Sequence, residues 1–278
     1  MASVQRSPLP ERPWIGAVRR RVAPLHANLS LSRSLLAHRR RDFRFRVFPY
    51  DTWQGINALA ICGTIIAILV VVFDPLLVAW QETLPHATVT FFRYVTRFGK
   101  SDWILIGTGL FVILMVVLET EALRSRFRAR RAIRTIAAFY VFASVAVSGT
   151  IANVAKYTIG RARPRYFTES GTTAFDFFSG DASWASFPSG HATTGMALGM
   201  SLALLFPRLR WVFLCIGFWI AASRLFLLQH YPSDMFVGCA VGGCGAWLLA
   251  RVLARHRLIF AFDDGGRLIR RKGASGRL

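Results

Sequence analysis

The sequence predicts an all-α polytopic membrane protein, with six transmembrane helices in a bundle and its polar residues gathered at the outer membrane face. Three observations carry this. Hydrophobic residues make up 54% of the 278, above the share usual in a soluble domain. They fall into six runs near the length of about 20 residues that a hydrocarbon core of about 30 Å requires. Arginine concentrates in alternate connections between those runs.

The runs lie at roughly 56–80, 103–119, 135–155, 191–207, 211–229 and 234–254. The first opens "INALAICGTIIAILVVVF", and the second includes "WILIGTGLFVILMVVL". The third holds "IAAFYVFASVAVSGTIANVA". The last three are "HATTGMALGMSLALLF", "WVFLCIGFWIAASRLFLLQ" and "DMFVGCAVGGCGAWLLARVLA". A soluble helical protein would carry a polar stripe at a 3.6-residue period, and these runs show few polar positions.

The net charge of +21 is compatible with nucleic-acid binding, but its distribution argues otherwise. Eleven arginines precede the first run, six fall in "RSRFRARRAIR", two in "PRLRW", and eight basic residues follow from Arg251 onward. Lys and Arg stay on the cytoplasmic side of membrane helices. Six spans with both termini inside satisfy that rule at every connection, so the bilayer is the expected partner and nucleic acid is not. Basic tails also attract anionic head groups, by about 1 kcal/mol per charge.

Three parts follow: a basic cytoplasmic N-terminal arm at 1–50, a six-helix membrane domain at 51–255, and a basic cytoplasmic tail at 256–278 whose end, "GGRLIRRKGASGRL", reads as flexible. No short apolar core with a small-residue cleavage site occurs in the first fifty residues, so the first span is expected to be an uncleaved anchor. "VTFFRYVTRF", in the first outer connection, reads as a short interfacial helix. Cys62, Cys215, Cys239 and Cys244 all lie in apolar runs, with neither zinc-site nor disulfide spacing. They read as small packing residues. Gly238 and Gly242 form a small-xxx-small pair, suited to packing within the bundle or to a homo-oligomer contact.

The topology brings three polar stretches to one face. In "KYTIGRARP", Lys156 and Arg163 are seven apart, nearly two helical turns, so on one helix both point the same way. Pro164 then ends or distorts the helix. Basic side chains snorkelling to the interface would explain the pair, but a basic cluster on the outer side opposes the charge rule unless an anion is held there. In "SFPSGHATT", Ser189 and Gly190 stand where a helix begins, with His191 beside them. Helix N-termini bind phosphate through free N–H groups, and an ordinary N-cap is the plain alternative.

In "SRLFLLQHYPSD", Arg224 lies about 9 Å inside its run if the helix ends near Gln229. A charge at such depth is usually functional, although an internal salt bridge would also account for it. Pro232 suits the first turn of the next helix. Asp234 then either favours that helix's dipole or accepts a hydrogen bond from His230. Taken together, two histidines, two arginines, a lysine and an aspartate suit phosphoryl transfer, whose transition state spreads charge over oxygens that cations clamp. One neutral histidine attacks and one charged histidine protonates the leaving group. No carboxylate cluster suggests magnesium, so neither a metal nor any other cofactor is expected.

The three stretches resemble the three-part signature of the type 2 phosphatidic acid phosphatase superfamily: Lys, six residues, Arg-Pro; Pro-Ser-Gly-His; and Ser-Arg, five residues, His, three residues, Asp. Here they are Lys156 with Arg163-Pro164, Pro188-Ser189-Gly190-His191, and Ser223-Arg224 with His230 and Asp234. The motifs span 156–234, and the span layout extends the resemblance to about 50–255. The resemblance implies that His230 is the nucleophile, oriented by Asp234, and that His191 is the acid. It further implies that Lys156, Arg163, Ser189, Gly190 and Arg224 hold the phosphoryl oxygens, without a metal. The expected activity is hydrolysis of a membrane lipid phosphate or diphosphate at the periplasmic face of a bacterial inner membrane. Undecaprenyl diphosphate, phosphatidylglycerol phosphate, phosphatidic acid and lipid A phosphates are the candidate substrates. A lipid-to-lipid phosphotransferase shares every motif, and a non-catalytic membrane anion-binding protein is the contrasting class. Six spans argue against the soluble vanadium haloperoxidases of the same superfamily. The aromatic loop 166–187, with acidic Glu169, Asp176 and Asp181, is the expected determinant of substrate choice or a simple lid.

Overall fold

The computed structural model describes residues 42–118 and 125–271. Most of the arm expected at 1–50 therefore lies outside the described residues. Nine α-helices are described: α1 Thr52–Ile68, α2 Asp74–Glu82, α3 His86–Val95, α4 Asp102–Val117, α5 Ser125–Ile159, α6 Phe167–Ser170, α7 Gly190–Leu205, α8 Arg210–Phe226 and α9 Pro232–Arg255. A π turn at Leu69–Phe73 joins α1 to α2.

Among the described residues, five stretches are long and apolar enough to cross a bilayer: Thr52–Glu82, His86–Val117, Ala129–Ile159, Pro207–Phe226 and Pro232–Arg255. The expected fourth span is α7, and it differs. Its 16 residues reach about 24 Å at 1.5 Å per residue, less than the usual span length, yet α7 still carries the chain from one end of the bundle to the other, where Pro207–Leu209 turns it into α8. The sequence predicts six spans; five meet the length and apolarity required, and α7 fills the centre of the bundle. Large apolar side chains such as Trp53, Leu59, Val71 and Trp211 are exposed on the outer helices. A surface of that kind is what lipid covers, and the protein is a multi-span membrane protein.

Small residues let α7 approach its neighbours closely. A Cβ on Gly199 would meet Phe213 O at 2.7 Å on α8, and one on Gly238 would meet Ser189 O at 2.5 Å. The Gly238/Gly242 pair thus packs inside the bundle against α7. The core below gathers Tyr140, Val145, Ala197, Ala250, Ala254 and Phe260.

The C-terminal tail departs from the sequence expectation. Its first part folds into a β-hairpin, β1 Phe260–Phe262 paired antiparallel with β2 Leu268–Arg270. Phe260 is fully buried against Tyr140, ring centroids 5.1 Å apart. Phe260 and Phe262, both buried, give this hairpin a hydrophobic reason to dock. The segment before α1 docks beside it. Arg251 donates to the main-chain oxygens of Arg46 and Val47, and Asp42 pairs with Arg44 and Arg257.

Candidate active site

Three chain segments converge at one end of the bundle. α5 ends at Ile159 because Gly160 turns left-handed, with φ +59°. Any Cβ there would strike the main-chain oxygen of Asp176. Lys156 is on α5, but Arg163 lies beyond its end, so helical spacing does not align the two as the sequence suggests. Arg163 instead reaches Gln229 Oε1 at 2.9 Å and Ala182 O at 2.9 Å. Pro164 opens a short 3₁₀ turn at Pro164–Tyr166.

Ser189 is the N-cap of α7, accepting from the Ala192 N–H, and α7 begins at Gly190. The Lys156 ammonium sits over that start, 3.5 Å from where a Gly190 Cβ would stand. His191 is half-buried in the first turn, and its ring packs on Gly99.

α8 ends at Phe226, earlier than the sequence suggests, and Leu228 reverses the chain at φ +52°. Pro232 opens α9 as expected. Between them His230 is 2% exposed. Its Nδ1–H donates to the Ser186 main-chain oxygen at 2.7 Å. Because a carbonyl only accepts, the proton is on Nδ1 and the Nε2 lone pair is free. Asp234 Oδ2 is 3.8 Å from Nδ1, beyond hydrogen-bond length. The Asp234 carboxylate instead accepts from Ser186 Oγ at 2.6 Å, the Tyr231 N–H at 2.9 Å and Arg161 at 2.6 Å. Of the two sequence readings of Asp234, its place in the first turn of α9 is met, whereas the hydrogen bond from His230 is not: the carboxylate stands beside the imidazole without bonding to it.

Burial holds the His230 imidazole down to about 4. The Asp234 carboxylate works against this, and the cations of Arg224 and Lys156 reinforce it. Burial also lowers the Arg163 guanidinium, with Arg165 adding repulsion. Arg224 Nη1 donates to Thr96 Oγ1 at 3.0 Å, while its buried Nε has no partner. An unsatisfied cationic donor beside Lys156 and an open helix N-terminus is the arrangement a phosphate completes.

Sequence reasoning missed Arg161 and Asp74. Arg161 is 2% exposed and bridges Asp234 and Asp74, its Nη2 reaching Asp74 Oδ2 at 2.8 Å. Asp74 is visible in the sequence as a lone carboxylate in the first apolar run, and a charge at such depth marks a site. Arg161 lies within "KYTIGRARP" but outside the motif positions.

Residues 137–258 match the model of the PAP2 superfamily. The chain is 36% identical over 219 residues to a lipid A 1-phosphatase of Rhizobium etli, covering 78% of this chain and 92% of that protein. The chain belongs to the PAP2 superfamily. Over a shorter stretch of 65 residues it is 42% identical to a lipid A 4′-phosphatase of Bacteroides thetaiotaomicron, covering 22% of this chain and 28% of that protein. A solved transmembrane PAP2-type phosphatidylglycerolphosphate phosphatase from Bacillus subtilis superposes with a TM-score of 0.47 at 16% identity, covering 71% of this PAP2 chain and 94% of that one.

Proposed function

We propose that this PAP2 protein is a lipid phosphatase that removes the 1-phosphate of lipid A through a phosphohistidine on His230. The class, a lipid phosphatase of the PAP2 superfamily, rests on the family match and the phosphatase relatives. The substrate rests on a likeness that spans nearly the whole length of a lipid A 1-phosphatase. The observation that carries the mechanism is the His230 geometry: Nδ1–H donated to Ser186 O at 2.7 Å leaves Nε2 unprotonated.

In the first step the Nε2 lone pair attacks phosphorus and the P–O bond to the lipid breaks. The negative charge of the bound phosphate offsets the surrounding cations, so that His191 takes up a proton and, as imidazolium, gives it to the departing oxygen. In the second step water attacks the phosphohistidine, His191 takes the water's proton, and the P–N bond breaks to release phosphate and restore His230. Lys156, Arg163, Arg224 and the N–H groups from Gly190 onward hold the peripheral oxygens. The reaction uses no metal in this reading. Support comes from the donor set: both buried carboxylates near His230 are occupied by Arg161, and no group of three His, Cys, Asp or Glu side chains gathers among the described residues. The site faces the periplasm of the inner membrane, with both termini cytoplasmic, as the arginine-poor outer connections favour.

The test is phosphate release by detergent-purified protein from lipid A, phosphatidic acid, phosphatidylglycerol phosphate and undecaprenyl diphosphate, with chelator present and His230→Ala as control. Chelator-resistant release, fastest from lipid A and abolished in the variant, is expected. Faster turnover of another lipid overturns the substrate, and release that survives in His230→Ala overturns the mechanism.

A further inference from the structure

We propose that Arg161, anchored by Asp74, is a positioning residue for His230: it takes up the charge of Asp234 and so keeps the imidazole neutral, with Nδ1 turned to Ser186. The proposal rests on the reading of His230 as nucleophile.

Arg161 leaves no donor face idle. Nη1 donates to Asp234 Oδ1 at 2.6 Å and Ser233 Oγ at 2.7 Å. Nη2 donates to Asp74 Oδ2 at 2.8 Å and Thr172 O at 2.6 Å, and Nε to Thr172 O at 3.0 Å. The guanidinium also lies over the Tyr231 ring, 4.4 Å from its centroid. Asp74 is held in turn by the Ser233 N–H at 3.1 Å and hydroxyl at 2.6 Å. Both carboxylates are fully buried. A charge network this dry is costly to leave incomplete, and a lone cation between two carboxylates fixes where each can point.

The rod α1–α2 supplies Asp74 although α1 itself has no buried residue. Asp74 and Leu77 are its buried residues. A lipid-facing rod thus sends one carboxylate inward to meet a loop residue 87 positions later. With Asp74 and Asp234 on either side, Arg161 stays charged although burial opposes it.

The groups facing His230 come from every packed element: Asp234 from α9, Arg224 from α8, Lys156 from α5, His191 from α7, and the Ser186 carbonyl from the preceding loop. Asp234 is the one anion among them. Arg161 and the Ser186 hydroxyl occupy it, so it does not capture the Nδ1 proton at 3.8 Å. Without Arg161 the carboxylate would act on His230 unopposed, drawing it towards imidazolium and away from Ser186. An imidazolium has no lone pair for phosphorus.

The experiment compares Arg161→Met, Arg161→Lys and Asp74→Asn with the parent, using the lipid phosphate that the parent turns over fastest, from acid to neutral pH. Arg161→Met is expected to lower kcat about 10- to 100-fold with KM nearly unchanged, and to move the acidic limb of residual activity up by about one pH unit or more. Arg161→Lys should restore part of both. Asp74→Asn leaves Arg161 to Asp234 alone, so it should lower kcat without raising the limb. Residual activity in Arg161→Met with the parent's pH profile overturns the proposal. So does loss of folding in all three variants, which would make the triad a brace and nothing more. His230→Ala is the separate control: turnover that survives it removes the nucleophile reading, and this proposal with it, whatever Arg161 does.

Discussion

His230 donates its Nδ1–H to the main-chain oxygen of Ser186 at 2.7 Å, while Asp234 stands 3.8 Å away. The main chain, rather than the motif carboxylate, fixes which nitrogen is free. Ser186 contributes twice, since its hydroxyl donates to Asp234 at 2.6 Å. Ser186→Ala keeps the carbonyl and loses only the hydroxyl. We expect kcat to fall by about 10-fold or less in that variant, against about 10³-fold or more in His230→Ala. Equal losses in the two variants would show that the hydroxyl, not the carbonyl, sets the imidazole.

The pH response follows from burial. The His230 imidazole is held down to about 4 against an ordinary value of 6.5. Between those values the unfolded chain binds a proton that the folded one refuses. The contribution of His230 to stability is therefore whole above about 6.5, declines as pH falls, and is fully lost below about 4. Nitrogen NMR of histidine-labelled protein, assigned by the His230→Ala spectrum, should show a neutral ring at pH 5. A His230 signal titrating near 6.5 would refute this.

Gly99 tests how closely His191 is placed. A Cβ there would come 2.7 Å from His191 Cδ2 and 3.0 Å from Ile220 Cγ2, so the imidazole must move. An acid displaced by about 1 Å costs on the order of 10²-fold. Gly99→Ala should therefore lower kcat about 10- to 100-fold with the fold intact. Gly107→Ala, where nothing lies within 4 Å, should be silent in the same assay. Equal activity in the two variants would mean that the His191 ring position does not limit the rate.

The apolar runs are legible because hydrophobic length reports directly on the bilayer. The motif residues are legible because a charge set against such a run costs free energy unless a partner or a ligand neutralises it. Other features are hidden for physical reasons. α7 reads like its neighbours in composition, yet its 16 residues and its glycine contacts make it the bundle's centre. β2 reads as part of a flexible end because "GGRLIRRKGASGRL" is rich in glycine and basic residues, and only its pairing with β1, whose Phe260 docks against Tyr140, gives it a support. Arg163 reads as part of the helix of Lys156 unless Gly160 is taken as its terminus.

The sequence by itself determined that the chain enters the membrane, that the basic and histidine side chains of the three motifs collect on one side, and which family carries that pattern. Each of these depends on local composition or on fixed spacing along the chain. The tertiary structure decided which atom bonds which: that Ser186 holds His230, that Arg161 rather than His230 pairs with Asp234, and that Asp74 reaches them from a lipid-facing rod. Those contacts join residues 44, 73 and 87 positions apart. Spacing along a chain carries no record of such pairings, because they are chosen by which buried charges must be neutralised once the helices have packed.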